Sequence, residues 1–384
     1  MNDATPPPPS FIDRDPAVIV ADMVGQFEQE TGRTLYPAQP ERLLINQIAY
    51  RETLVREAIQ DAALLNLVRY SRAPMLDRLG EPLGVFRLDS VPAVTQLRFT
   101  LASPAPVTFL IPAGTRVAGG DAIFATDAAV LWPAGLTEVV TPATASVQGA
   151  AGNGWLPGQL NTLLDKLPYA ASVANVTASG GGADDEDDEH LRDRILMAPA
   201  SFSSAGPVGA YSYWAKTAHP DIIDVGVVGP MLDWQGDGLV SLNGVPPGEI
   251  RLYPLMRSGL PDSAVLAAVQ SICNAERRRP LSDYVRTLAP QRVPYSISAQ
   301  LTCYQWADPV AVLAAANEAA ERYAAAMRQR LGQDIVPTQL IAALRVPGVY
   351  DVTLVAPAGV VSVGPHQWTD CDSITITPAG VANG

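Results

Sequence analysis

His219-Pro220-Asp221-Ile222-Ile223-Asp224-Val225-Gly226-Val227-Val228-Gly229-Pro230 and Val346-Pro347-Gly348-Val349-Tyr350-Asp351-Val352-Thr353-Leu354-Val355-Ala356-Pro357 align without a gap at a constant offset of 127 residues. In each copy a proline-bearing turn opens a run of mostly β-branched residues, and a second proline closes it, the pattern of a short strand entered from a turn. A short helix is predicted before each copy, over 210–218 and over 338–345. Strand candidates at 249–256, 284–288, 295–304 and 373–377 surround them. Two longer helices complete the set: 262–278 with Asp262 as N-cap, and 309–331 with Asp308 as cap, Pro309 at the first helical position and Gly332 past the end. The economical reading of this half is two repeated ferredoxin-like α/β units, 181–292 and 293–384.

Moving towards the amino terminus, 90–180 is rich in Val, Thr, Pro and Gly. Short apolar runs at 95–101, 107–111, 123–126, 138–140 and 172–177 alternate with turn residues such as Pro112-Ala113-Gly114, Gly119-Gly120 and Gly152-Asn153-Gly154. That spacing predicts a small antiparallel β-domain inserted between helical parts. The segment 17–89 is a helical arm, with helices over 17–31 and 41–72, and residues 1–16 form an extended Pro-rich tail. On the longer helix Leu44, Ile48, Val55 and Ile59 recur at three- and four-residue steps and their multiples. A helix of about 30 residues spans roughly 45 Å, more than a compact domain needs. The stripe is therefore the predicted contact with another chain, packing on its own chain being the alternative. The fold class that follows is α+β multidomain: an N-terminal helical arm, an inserted antiparallel β-domain and two repeated α/β units.

Charge narrows the function. With 26 Lys+Arg against 39 Asp+Glu the net charge is −13, and all but Lys166 and Lys216 of the cations are arginine. A nucleic-acid surface needs clustered cations to displace counterions, so nucleic acid is not an expected partner. Cys273, Cys303 and Cys371 are odd in number and lack any CxxC, which argues against a disulfide framework or a zinc site. The first ten residues hold a four-proline run where an export signal needs basic and apolar residues, and no apolar run reaches membrane-spanning length, so a protein made in the cytoplasm without a membrane span is expected.

The search for chemistry returns little. His190, His219 and His366 sit in no HExxH; His219 and His366 neighbour prolines and read as exposed or capping side chains. No GxSxG or GxxxxGK[ST] occurs, and Gly149-Ala150-Ala151-Gly152-Asn153-Gly154 reads as a turn. The run Asp184-Asp185-Glu186-Asp187-Asp188-Glu189 reads as a solvated helix start at the positive end of the dipole, a calcium loop being the sharper alternative without EF-hand spacing. Arg277-Arg278-Arg279 reads as a helix terminus. Between the strands of the first α/β unit, 231–245, with Gly236-Asp237-Gly238 and Asn243-Gly244, is either a neighbour-contacting loop or a hairpin. A glycosidase needs only two carboxylates without a local motif, so a cell-wall glycan hydrolase using the acidic run stays open as a rival, as does a glycan-binding adhesion module. The aromatic content offers no evident sugar-stacking cluster.

Several stretches, in order, resemble the baseplate J-like family of contractile phage tails and related injection machines. They are Ala49-Tyr50-Arg51-Glu52, Ala73-Pro74-Met75-Leu76-Asp77-Arg78-Leu79-Gly80, Ile111-Pro112-Ala113-Gly114-Thr115, Gly152-Asn153, the acidic run through Arg194, Gly206-Pro207-Val208-Gly209-Ala210-Tyr211, Arg279-Pro280-Leu281-Ser282-Asp283, and Leu331-Gly332-Gln333-Asp334-Ile335 with Ala342-Ala343-Leu344 and Gly348-Val349. The resemblance implies a structural wedge subunit of the virion tail baseplate, assembled in the bacterial host cytoplasm, without enzymatic activity, cofactor or metal. It further implies two copies joined to one tail-protein-I-like subunit through an amino-terminal helical bundle. A lysozyme-like wedge subunit would join the sheath, and the carboxy-terminal half would link wedges into a ring around the central hub. On this chain the bundle contact falls on Leu44, Ile48, Val55 and Ile59.

Overall fold

The structure is a computed structural model that describes residues 6–169, 171–202, 207–235, 238–276 and 278–383. The first five residues, Gly206 of the Gly206–Tyr211 stretch, Gly236-Asp237 and Arg277 lie outside the described residues. Two compact units are present: Met1–Arg87 with Asp188–Leu196, and Leu88–Asp187 with Met197–Gly384.

In the first unit α1 (Pro16–Thr31) starts where the Asp15 carboxylate accepts the Ala17 N–H and Pro16 needs no partner. It ends at Gly32, whose φ of 65° lets its N–H reach the Glu28 carbonyl. The second helix, α2 (Pro40–Leu64), is 25 residues long, about 37 Å, and stops short of the predicted 72. No proline or glycine intervenes; tertiary contacts end the helix. The chain tightens into short turns after Leu64, Arg72 folds back to hold Asp61 through both carboxylate oxygens (3.0 and 2.8 Å), and Arg192 donates to the Val68 and Ser71 carbonyls (3.0 and 2.7 Å). Arg192 lies on α4 (Asp188–Met197), whose Leu191 and Ile195 are buried, as are Leu76 of α3 (Met75–Gly80) and Val85. A Cβ at Gly80 would fall 2.5 Å from the Val85 carbonyl oxygen, so this junction requires glycine. Arg87 ties it together electrostatically, bonding Asp77 (2.8 Å) and Asp188 (2.7 Å) and holding the Asp77 carboxyl below its usual range.

The second unit opens with a β-module: β1 (Pro92–Leu101), β2 (Phe109–Ile111), β3 (Arg116–Gly119), β4 (Ala122–Thr126), β5 (Val130–Trp132), β6 (Glu138–Gln148), β7 (Thr162–Leu163) and β8 (Ala171–Asn175). Six of them form an antiparallel sheet in the order β7-β3-β4-β6-β1-β8, and β2 pairs with β5. Alternation along β1 buries Ala93, Leu97, Phe99 and Leu101, which meet Phe124, Trp132 and Leu160 in one core. Asn175 closes the sheet. It accepts the Leu160 N–H on its side chain (2.9 Å), its N–H donates to the Leu160 carbonyl (3.2 Å), and its amide group donates to the Leu156 and Thr177 carbonyls. The two end strands are thus bridged at that point.

The carboxy-terminal half carries α5 (Val208–Lys216), β9 (Ile222–Val228), the hairpin β10 (Leu232–Gln235) and β11 (Gly238–Ser241), β12 (Glu249–Met256), α6 (Ser263–Cys273) and β13 (Tyr284–Thr287). It continues with β14 (Gln291–Tyr304), α7 (Pro309–Arg328), α8 (Pro337–Leu344), β15 (Val349–Ala356) and β16 (Gln367–Ala382). The 127-residue repeat recurs in three dimensions. Helix, turn and strand correspond, and the Ile222 N–H donates to the His219 carbonyl as the Val349 N–H does to the Val346 carbonyl. Both β9 and β15 are edge strands antiparallel to the centre of their sheet.

Around that shared piece the two units differ from the predicted ferredoxin-like pattern. Among the described residues each sheet has three strands, β13-β12-β9 and β15-β14-β16, with one parallel and one antiparallel pair. The central strand follows the repeated piece in the first unit and precedes it in the second. One helix between β12 and β13 returns the chain for a parallel neighbour, whereas two helices between β14 and β15 bring it back antiparallel. Equivalent segments therefore sit in permuted order, and a simple tandem repeat does not describe them.

Candidate partner interface

The helix α2 has two faces with opposite fates. Ile45, Ala49 and Gln60 are buried, with Ile45 joining Val24 and Leu35 in a small core against α1. Residues 6–15 run extended along α2 and are clamped by Gln60, 3 % exposed, whose side chain accepts the Phe11 N–H (2.8 Å) and donates to the Pro9 carbonyl (2.7 Å). Arg56 donates to the Asp13 carbonyl, Tyr70 to the Pro6 carbonyl, and Arg14 pairs with Glu57. The other face holds the predicted stripe: Leu44 is 62 %, Ile48 50 %, Val55 54 % and Ile59 47 % exposed. Leu43, Tyr50 and Leu54, farther round the same helix, are exposed as well. One helix thus leaves seven large apolar side chains exposed, more than the singly scattered apolar residues usual on a monomer surface.

The acidic run differs from a solvated helix start. Asp184 accepts the Ala150 N–H (2.9 Å), Asp185 the Ser90 N–H (2.9 Å), and buried Glu186 the Leu88 N–H (2.9 Å), while Asp187 pairs with Arg257 (2.6 Å). Asp188 begins α4 and takes Arg87 and the Ala73 N–H; Glu189 pairs with Arg192. Each carboxylate is anchored to a separate partner, and among the described residues no group of three or more His, Cys, Asp or Glu is disposed to hold a metal ion. A cleft of about 300 Å³ beside this run is lined by Asp184, Asp185, Asp187, Asp221, Arg257 and Ser258, with Asp221 accepting from the Ser258 hydroxyl (2.8 Å). The rival hydrolase reading would need two of these carboxylates facing a substrate, and the anchoring leaves it without support from the geometry.

His219 is buried and takes the capping role, not the exposed one. Its Nδ1 accepts the Asp221 N–H, so Nε2 carries the proton towards the Gly181 carbonyl (3.2 Å). Arg278 and Arg279 donate to the Ile272 and Asn274 carbonyls at the end of α6, as a helix terminus should. Cys273 lies in the core of the first α/β unit, where burial pushes its thiol up to about 12. The segment after β9 is a hairpin carrying exposed Met231, Trp234 and Leu242. Sequence reading missed an aromatic cluster: Tyr304 stacks on Trp306 at 5.5 Å and meets Tyr350 edge-on at 5.4 Å, with Trp306 74 % exposed. Only the fold could bring residue 350 beside 304, through the β14–β15 pairing. No described helix is long and apolar enough to cross a membrane.

The architecture is mixed α+β, with N-terminal helices, several separate sheets and an apolar helix face left exposed. Three family models match in sequence order: the Baseplate J-like protein barrel domain over residues 96–182, the Baseplate J-like central domain over 203–289, and the Baseplate J-like protein C-terminal domain over 295–377, together more than half of the chain. The chain belongs to the baseplate J-like family. It is 31% identical over 197 residues to baseplate protein J of Escherichia phage P2, a match covering 51% of this chain and 60% of that relative. Among solved structures, a chain of the anti-feeding prophage baseplate aligns over 92% of this chain and 90% of its own length, at 15% identity and a TM-score of 0.44.

Proposed function

We propose that the chain is a structural subunit of a baseplate wedge in a contractile phage tail or related injection machine. Two copies associate with a tail-protein-I-like partner through the helical arm, 17–89. A lysozyme-like wedge subunit joins the sheath, and the α/β half, 181–384, links wedges into a ring around the central hub. Assembly takes place in the bacterial host cytoplasm and the product resides in the virion tail. Contraction is then signalled by repacked interfaces, with no bond chemistry.

The observation that carries this reading is the one-sided burial of α2, where α1 and the N-terminal strap cover one face while Leu44, Ile48, Val55 and Ile59 stay exposed. Aliphatic side chains at helical spacing on an otherwise supported helix suit a bundle of helices from several chains. Native mass spectrometry on the chain coexpressed with its tail-protein-I-like and lysozyme-like neighbours tests it. A complex holding two copies of this chain, lost in Ile48→Asp and Ile59→Asp, is the expected result; a chain that stays monomeric beside those partners refutes it.

A further inference from the structure

The edge strand β16 carries a second contact. Among the described residues its outer side is bridged only at its start, where Trp368 meets Leu331 and the Gln367 carbonyl accepts the Gly332 N–H. Beyond that point, register shifts at Asp372 and at Ala379 interrupt the pairing with β14, and between them Ser373 to Pro378 form a regular ladder. Bulges and charges are the usual guards of a free edge. Between Ser373 and Thr377 there is neither, for the two nearby carboxylates, Asp370 and Asp372, are held by Arg292, and Pro378, a third kind of guard, stands only at the end of the window.

Ser373-Ile374-Thr375-Ile376-Thr377 reads almost identically in both directions about Thr375. Placed antiparallel against itself across a two-fold axis at Thr375, it sets Ile374 against Ile376, Ser373 against Thr377 and Thr375 against Thr375. Asp372 then faces Pro378 and Asp370 faces Gly380, so no like charges oppose each other, whereas an axis at Asp372 would set carboxylate against carboxylate. Pro378 has no N–H, so it belongs among the residues whose amides point away from β14. Ile374 and Ile376 share its parity and offer N–H and C=O outward, the groups that form reciprocal bonds in an antiparallel pair. Their side chains lie partly buried against the core of the second α/β unit, while Ser373, Thr375 and Thr377 are exposed. We infer that β16 pairs with β16 of a second copy, joining two three-stranded sheets across a two-fold axis. The inference specifies a contact for the ring reading above and in that respect rests on it.

The test uses the full chain in a Cys371→Ser background. Thr375→Cys should give a disulfide-linked dimer on mild oxidation, mapped to position 375 in both chains, because Cα atoms in such a pair lie about 4.5 Å apart. Thr353→Cys, on the exposed side of β15, should not. Sedimentation of Thr375→Lys and of Thr375→Asp should each show dimerisation at this edge weakened about tenfold or more, with an equimolar mixture restoring it. A folded Thr375→Cys chain that fails to cross-link, cross-linking as fast at position 353, or a charge-swapped mixture that does not recover would overturn the pairing. The 375 link should form in Ile48→Asp as well; a chain that cross-links at 375 but stays monomeric beside its coexpressed neighbours overturns the proposed function alone, and one that assembles with them without cross-linking overturns the pairing alone.

Discussion

The β-module and the helical arm use similar apolar residues to opposite ends. In the β-module Phe99, Phe124 and Trp132 are fully buried, and Asn175 bridges the ends of the sheet. In the arm, Leu44, Ile48, Val55 and Ile59 stand in solvent along a helix whose other side is occupied. Periodicity reports that a helix or strand has an apolar face; only tertiary structure tells whether that face is spent within the chain. A protein destined for assembly can carry both kinds of surface, one sustaining its own fold and one left for neighbours.

The comparison can be broken first on the closed side. Trp132 stacks on Phe109 at 5.2 Å and donates to the Leu136 carbonyl. Trp132→Ala should cost about 3–5 kcal/mol, read as a lower unfolding midpoint in denaturant. Asn175→Ala removes the bridge and strands buried backbone groups, for about 2 kcal/mol by the same measurement. On the open side, Ile48→Asp and Ile59→Asp should move the melting temperature of the isolated chain by an amount equivalent to no more than about 0.5 kcal/mol while reducing recovery of the coexpressed complex. Equal losses of melting temperature and assembly would return the stripe to the chain's own core.

The smallest effect concerns a surface pair of the β-module. Asp165 accepts from the backbone and side chain of Arg116, which holds its carboxyl at about 2, below the usual carboxylate range. A depressed folded value stabilises above the unfolded pKa of about 4 and loses that contribution as pH falls towards 2. Melting profiles of wild type and Asp165→Asn should therefore differ at pH 5 and converge near pH 2. A gap that persists at pH 2 would assign the effect to lost packing.

Much of this was legible in the residues because local chemistry decided it. Asp262 and Asp308 cap their helices and Pro309 takes the first helical position as predicted, and β12 occupies the predicted 249–256. What was not legible depends on distant partners. The end of α2 is determined by Arg72 and Arg192, beyond the reach of a helix-stop rule. Glu186 and its neighbours look like a solvated charge run until Leu88, Ser90 and Ala150 supply their N–H groups. Short strands such as Thr162–Leu163 carry too few residues for a period, and Asn175 and Gln60 act through amide groups that form no motif. The stripe itself was visible as a pattern, whereas its exposure required the strap and α1 to be seen on the opposite side.

That strap has a consequence for energetics. An isolated helix of 25 residues frays, and a partner docking on it would have to bear the entropy of ordering it. Residues 6–15 are tied to α2 at Arg56, Glu57 and Gln60 and to Tyr70 beyond its end, so the last part of the helix is splinted before any neighbour arrives. On the proposed function, the stripe is thereby preorganised by a segment that leaves it exposed. Removing residues 6–15 should leave every stripe side chain in place and still slow and weaken association.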